Sequence, residues 1–303
     1  MNSFIPIAFD QTYRLSLPEN HRFPMEKYEL LPQQLIFEGT CKPKDFFIPK
    51  AAKVEQVLRV HIKEYVDRLC NLQLTKNEIR SIGFPLDEAL VKREFLIAGG
   101  TIMGAEKALD FGIAMNIAGG THHAFSDRGE AFCLLNDQAI GAQHLLDKGY
   151  VKKVLILDLD VHQGNGTAAI FKNRSDVFTC SVHGAKNYPF RKEISDIDIS
   201  IDDNCSDMSY LKQIKSLLPK LYERVRPDFI FYLCGVDVLK TDKLGRLGMS
   251  VQGCKKRDEL VLNYFKEKSI PIQCSMGGGY SKDLKIILDA HANTFRVAKE
   301  IFT

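Results

Sequence analysis

The sequence has no C-x-x-C pair, no long apolar run, no proline- or serine-rich linker and little excess charge of either sign. Each absence narrows the reading. The eight cysteines are scattered, and Cys180, Cys234 and Cys274 fall inside apolar strand-like runs. That placement suits small buried thiols in a reducing compartment better than disulfides. No run approaches the roughly 18 apolar residues of a membrane span. The opening MNSFIPIAFDQTYR lacks a basic stretch followed by an apolar one. The expectation is a soluble intracellular protein, cytoplasmic, or nuclear in a eukaryote, although no nuclear signal is recognisable. With 41 basic against 38 acidic residues, the net charge is only +3, so no nucleic-acid surface is expected. The Lys255, Lys256, Arg257 cluster reads as a solvated helix start. With no linker or internal repeat, and 45% hydrophobic residues to fill a sizeable core, residues 1–303 are expected to form a single domain.

What is present centres on Val154 to Gly166, VLILDLDVHQGNG. Val154 to Leu157 form the short apolar run of a strand buried on both faces, yet Asp158, Asp160 and His162 follow at once. Residues two apart on extended backbone share a side, so these three project together where the strand leaves its sheet. Buried carboxylates are costly unless paired or coordinated. Asp-x-His therefore reads as the start of a metal site, with Gly164 and Gly166 permitting a tight turn below it.

Along the chain, Phe4 to Phe9 reads as a first strand and Leu15 to Leu30 as a loop interrupted by Pro18 and Pro24. Ala51 to Cys70 carries apolar residues at helical spacing and predicts one amphipathic helix, in which His61 is a surface or packing residue. Further helices are predicted over Arg93–Phe111, Asn136–Lys148, Met208–Val225 with a break or kink at Pro219, Lys256–Lys268 and Lys282–Phe302. Strands are predicted at Ile113–Ile117, Val177–Val182, Asp196–Ile201, Phe229–Cys234 and Ile270–Ser275. This alternation predicts an α/β fold whose central, mainly parallel sheet has helices on both faces, with ligands at the carboxyl ends of the strands. His122 and His123, Asp158 to His162, Asp237, and Tyr280 all fall just after strand ends, so four strands deliver chemistry to one rim.

Asp160, His162 and Asp237 offer oxygen and nitrogen ligands with no thiolate, the donor set of a catalytic rather than a structural zinc. Such an ion polarises a carbonyl and lowers the pKa of water, which amide hydrolysis requires. His122 and His123, on the Gly119-Gly120 turn, suit proton transfer, with Asp158 as a carboxylate that orients one of them. Tyr280, behind three glycines, suits a hydrogen bond to a developing oxyanion. Each motif alone has a bland reading: a loop, a solvated His pair, a packed tyrosine, a helix-capping aspartate. Only the conjunction points to catalysis.

GGTHHAFSDRGEAFCLLND, LILDLDVHQGNGT, YLCGVDVLKTDKLG and MGGGY resemble the signature blocks of the zinc-dependent histone deacetylase family, in the family's order. GGTIMGAEKAL, DKLGRLGMS and KKRDELVL resemble its class IV branch most closely. The resemblance implies the arginase/deacetylase fold and hydrolysis of an N-acyl-lysine amide, acetyl or long-chain fatty acyl, by metal-bound water. It implies zinc on Asp160, His162 and Asp237, general-base catalysis by His123, a charged or relay role for His122, and an oxyanion donor in Tyr280. It further implies a structural potassium ion at Asp158, the backbone of Asp160 and His162, Ser181 and the backbone of Val182.

The same resemblance makes Phe132 and Tyr188 the aromatic walls of an acyl-lysine tunnel, with Gly120 and Ala131 beside it, Leu244 at its rim and Arg22 at its foot. The chain departs from the family pattern at Ala131, where glycine is usual, at Thr121, where an aromatic is frequent, and at Asn165, where class I members carry aspartate. These changes bear on acyl-chain preference rather than on activity. The expected partner is an acylated protein or peptide lysine; oligomeric state is not legible. Competing readings are deacetylation of acetylated polyamines or other small amides, arginase-like hydrolysis with two manganese ions, disfavoured because a second set of aspartate ligands is missing, and a non-catalytic acyl-lysine binder.

Overall fold

A computed structural model describes residues 4–303. Its eight strands are β1 (Ile7–Ala8), β2 (Phe46–Phe47), β3 (Ile113–Asn116), β4 (Val154–Asp158), β5 (Val177–Gly184), β6 (Ile197–Ile201), β7 (Phe229–Leu233) and β8 (Ile272–Ser275). They form one sheet in the order β2-β1-β3-β8-β7-β4-β5-β6, and every pairing is parallel. The helices are α1 (Lys27–Phe37), α2 (Val54–Val57), α3 (Lys63–Cys70), α4 (Lys76–Ile82), α5 (Glu88–Phe111), α6 (Asp137–Asp147), α7 (Asn165–Ile170), α8 (Asp207–Val225), α9 (Val251–Glu267) and α10 (Leu284–Phe302).

The central strands explain their own apolar runs. Val154 and Ile156 of β4, with Phe229 and Phe231 of β7, pack into a core with Ala105 and Ala108 of α5 and Ala139, Ala142 and Leu145 of α6. The alternate residues Leu155, Leu157, Ile230 and Tyr232 face a larger core that includes Leu218 and Leu221 of α8, Val261 and Phe265 of α9 and Phe295 of α10. Strands β4 and β7 are thus covered on both faces, as the centre of a parallel sheet requires. All eight cysteines are free thiols. Among the described residues no helix is long and apolar enough to cross a membrane.

Three expectations are corrected. The segment Ala51–Cys70 is not one helix but α2 and α3, because Ile62 takes extended dihedrals and its N–H donates to the Ser126 carbonyl at 2.8 Å. His61, in the gap, is buried and accepts the Asn136 N–H at the start of α6. Helix α8 runs through Pro219 without a break; Leu217, Leu218 and Leu221 are buried around the proline, and this packing outweighs the one backbone bond it removes. Arg257 is not solvated but fully buried. It donates to the carbonyls of Leu159, Cys234 and Gly235, and lies against Asp258. Helices α1, α4 and α7 and strand β2 were not expected; the predicted loop over Leu15–Leu30 ends inside α1.

Candidate active site

Adjacent strands β3, β8, β7 and β4 end at one rim. After β3, Gly119 and Gly120 adopt φ of +82° and +80°, values that favour glycine, and aim His122 and His123 inward. Asp137, at the first turn of α6, holds this turn: its Oδ1 accepts the N–H groups of Gly120 and Thr121 at 2.8 and 2.9 Å and the Thr121 hydroxyl at 2.8 Å. Gly164 and Gly166 serve close approach rather than a left-handed turn. A Cβ at Gly164 would lie 2.4 Å from Asp158 Oδ2, and one at Gly166 would lie 2.3 Å from the Ala124 carbonyl oxygen.

The two histidines are set apart electrically. His122 Nδ1 lies 2.7 Å from Asp158 Oδ2. Burial opposes its charge, but Asp158 and Asp160 outweigh burial and raise its pKa. His123 Nδ1 lies 2.6 Å from the neutral Asn165 side chain. Burial, with positive charge on His122 and His162, holds its pKa well below the ordinary value. The surroundings therefore favour the charged form of His122 and the neutral form of His123.

Asp160, His162 and Asp237 place their ligand atoms within 4.8 Å of one another, all three residues buried. His162 Nδ1 sits 3.1 Å from Asp160 Oδ1 and 3.2 Å from Asp237 Oδ2, the latter without hydrogen-bond geometry, so Asp237 Oδ2 is buried with no partner. Burial and the charge of Asp160 push the Asp237 carboxyl up to about 7. Burial opposes charge on His162, yet the two carboxylates raise it to about 10. An orphaned buried carboxylate oxygen beside a second carboxylate and an imidazole is the arrangement that a cation satisfies. Backbone crowds closely around it: a Cβ at Gly278 would lie 2.0 Å from Asp237 Oδ2, and one at Gly235 would lie 2.3 Å from Asp160 Oδ2. The residues present fit a divalent metal.

Tyr280 is buried opposite this cluster. Its N–H donates to Asp242 Oδ2 at 2.6 Å, and burial together with Asp160 and Asp237 raises its phenol well above the ordinary range, which keeps it a donor. Under its ring lies Lys27, a fully buried lysine whose Nζ is 5.5 Å from the ring centroid and 3.4 Å from the Gly277 carbonyl oxygen. Burial lowers the pKa of this lysine to about 8.

His122, His123, Asp160, His162 and Tyr280 share a cavity of about 460 Å³. Gly120, Ala131, Phe132, Tyr188 and Leu244 all line it. Tyr188 packs edge-on against His123, ring centroids 5.0 Å apart, and its hydroxyl donates to Glu130 Oε2 at 2.6 Å. Ala131 and Phe132 both have positive φ, +44° and +68°. Both residues thus hold backbone that a Cβ disfavours, at and beside the aromatic wall. Arg22 is not at a buried foot: it is exposed, with its guanidinium carbon 4.9 Å from the Phe132 ring centroid. The buried arginine lining the cavity is Arg93, paired with Glu94. Asp158 and Ser181 sit opposite each other in the β4–β5 register, with Val182 next along β5.

Sequence reading missed Asp137, Asp242, Lys27 and Arg257. Asp137 directly follows the predicted helix start at Asn136, a position that could have flagged it. Lys27 and Asp242 carry no local signal, because a charged residue in a polar stretch reads as surface, and Arg257 is masked by the charged cluster that contains it.

A histone deacetylase domain model matches residues 21–295. An uncharacterized protein of Picosynechococcus is 38% identical over 98% of this chain and 99% of its own length. Histone deacetylase 2 of Arabidopsis thaliana is 28% identical over 97% of this chain and 79% of its own. Histone deacetylase RPD3 of Saccharomyces cerevisiae is 30% identical over 85% of this chain and 64% of its own. Among solved structures, a histone deacetylase homolog complexed with SAHA superposes with a TM-score of 0.83 at 24% identity, covering 98% of this chain and 83% of that one. The fold is that of the arginase/deacetylase proteins, and the chain belongs to the histone deacetylase family, whose members are hydrolytic deacetylases.

Proposed function

We propose that the protein hydrolyses N-acyl-lysine amides on proteins or peptides, with zinc held by Asp160, His162 and Asp237 and residues 1–303 acting as one catalytic domain. The observation that supports this most is a buried imidazole, His123, whose surroundings favour its neutral form, and a phenol, Tyr280, held protonated, in one cavity with Asp160 and His162 of a three-residue metal-ligand cluster. When bound, zinc polarises the acyl carbonyl and makes water acidic. The chain's residues do the rest. Phe132 and Tyr188 flank the lysine stem, Gly120 and Ala131 give it room, and Leu244 closes the rim. His123 Nε2 takes a proton from water as the C–O bond forms, and Asn165 holds the proton already on Nδ1. Tyr280 donates a hydrogen bond to the oxyanion. As the C–N bond breaks, His123 returns the proton to the lysine amine. His122, kept charged by Asp158, favours negative charge nearby. Asp158, Ser181 and the backbone of Val182 suit a potassium ion that would stiffen the β4–β5 end. An intracellular, cytoplasmic setting accords with eight free thiols.

The test is product release from matched lysine peptides carrying acetyl, octanoyl or myristoyl groups, with zinc-loaded protein and His123→Ala as control. Turnover of the long chains alone supports a class IV-like defatty-acylase, and preference for acetyl places the constriction at Ala131. No cleavage above the control removes the reading.

A further inference from the structure

The charge at the cavity's mouth is one-sided, although the chain as a whole is nearly neutral. Arg22, Lys186, Lys243 and Arg246 line the cavity and are exposed, whereas its lining includes one carboxylate, the buried Asp160. Three separate loops bring these cations together: the segment before α1, the one after β5 and the one after β7. Their neutralisation is incomplete. A single carboxylate, Asp203, serves two of them, accepting from Arg246 Nε at 2.9 Å and lying 3.8 Å from Lys186 Nζ. Among the described residues, Lys243 and Arg22 have no carboxylate within ion-pair distance, and Arg22 instead stacks over Phe132. Glu19 and Glu26 border an adjoining groove, but share it with Arg14 and Lys282. Beside the cations Phe190, 91% exposed, offers an apolar contact on the same rim.

We propose that this mouth selects substrates carrying negative charge on the amine side of the scissile amide, namely acyl-lysines flanked by aspartate or glutamate. The inference rests on the deacylase reading above and deepens it. Once an acyl-lysine stem fills the tunnel, the residues on either side of it lie across the rim. Charge on a rim is felt over about 10 Å at moderate salt. A low-dielectric mouth of one sign concentrates ligands of the other sign and repels its own. Polyamines and lysine-rich tails therefore meet repulsion.

The experiment compares kcat/KM of wild-type enzyme for one acyl-lysine peptide flanked by aspartates, alanines or lysines, at 50 and 500 mM salt. A fourth substrate is a single acyl-lysine with a free α-carboxylate and no flanking residues. The expected result is that the aspartate peptide exceeds the lysine peptide by about tenfold at low salt. The ratio should shrink at high salt and collapse in the double variant Arg22→Glu, Lys243→Glu. Cleavage of the single acyl-lysine above all peptides supports the same charge selection with a small-molecule source. A ratio near one, a preference for the lysine peptide, or a ratio indifferent to both salt and the double variant overturns the proposal while leaving the deacylase reading in place. Failure to cleave any of the four removes the deacylase reading, and the charge selection falls with it.

Discussion

Asn165 Oδ1 stands 2.6 Å from His123 Nδ1, so the proton on that nitrogen is held by a neutral acceptor. A carboxylate there would stabilise the imidazolium. Asn165→Asp should raise the pKa of His123 by about 1–3 units. Because His123 must be unprotonated to accept a proton, the acid limb of the kcat/KM profile should move to higher pH by that amount. A profile with an unmoved acid limb would place the base elsewhere.

Tyr280 differs, because its phenol is needed only as charge develops on the acyl oxygen. Tyr280→Phe should lower kcat by about 10²–10³ while binding of acyl peptide persists, read by anisotropy. Loss of binding together with turnover would make the residue a wall rather than a donor.

Removing metal should unsettle the fold itself. Asp160 and Asp237 are 1% and 0% exposed, and Asp237 Oδ2 has no hydrogen-bond partner. Zinc at a thousandfold excess over its Kd should add about 4 kcal/mol of stability, seen as a rise in Tm on adding zinc to chelated protein. The same addition should do almost nothing to Asp237→Ala.

Arg257 and Asp258 form a pair with no exposed surface, in which Asp258 also accepts from Tyr232 at 2.5 Å and Thr294 at 2.7 Å. Asp258→Asn leaves a buried guanidinium without its counter-charge and should cost about 3–5 kcal/mol, measured by denaturant unfolding. Since Arg257 grips the carbonyls that precede Asp160 and Asp237, zinc titration of the variant should also show weaker binding.

His61 is held neutral by burial, with a pKa near 4 against an ordinary value of 6.5. A depressed folded pKa means that the unfolded chain binds the extra proton, so this histidine's contribution to stability is intact above pH 6.5 and is lost as pH falls toward 4. His61→Gln should flatten the fall of unfolding free energy across that window by up to one proton, about 1.4 kcal/mol per pH unit.

The parts of this structure that could be read from the sequence are those where burial is two-sided or where polarity interrupts an apolar run. Val154–Leu157 announces β4 because both faces are covered, and Asp160, His162 and Asp237 stand out because carboxylates follow directly on strands. The apolar spacing of Ala51–Cys70 misleads, because it continues through Ile62 while the backbone turns aside to the Ser126 carbonyl. Lys27 and Arg257 were illegible for a different reason: Lys27 reaches the Gly277 carbonyl and the Tyr280 ring, and Arg257 the Leu159 carbonyl, all distant in the chain, so nothing local records these partners. The role of Asp137 as anchor of the Gly119-Gly120 turn likewise exists only once α6 is packed against α5, which itself lies on β3.

The glycines around the metal ligands have a further consequence. At Gly278 and Gly235 a single methyl group would press on the carboxylates of Asp237 and Asp160 from backbone that has no room to retreat. A relative that acquired alanine at either place would keep every ligand, both histidines and the tyrosine, and still push a ligand carboxylate out of place. Surveys that sort active from inactive homologues by counting ligands would misplace it; the glycines belong in that test.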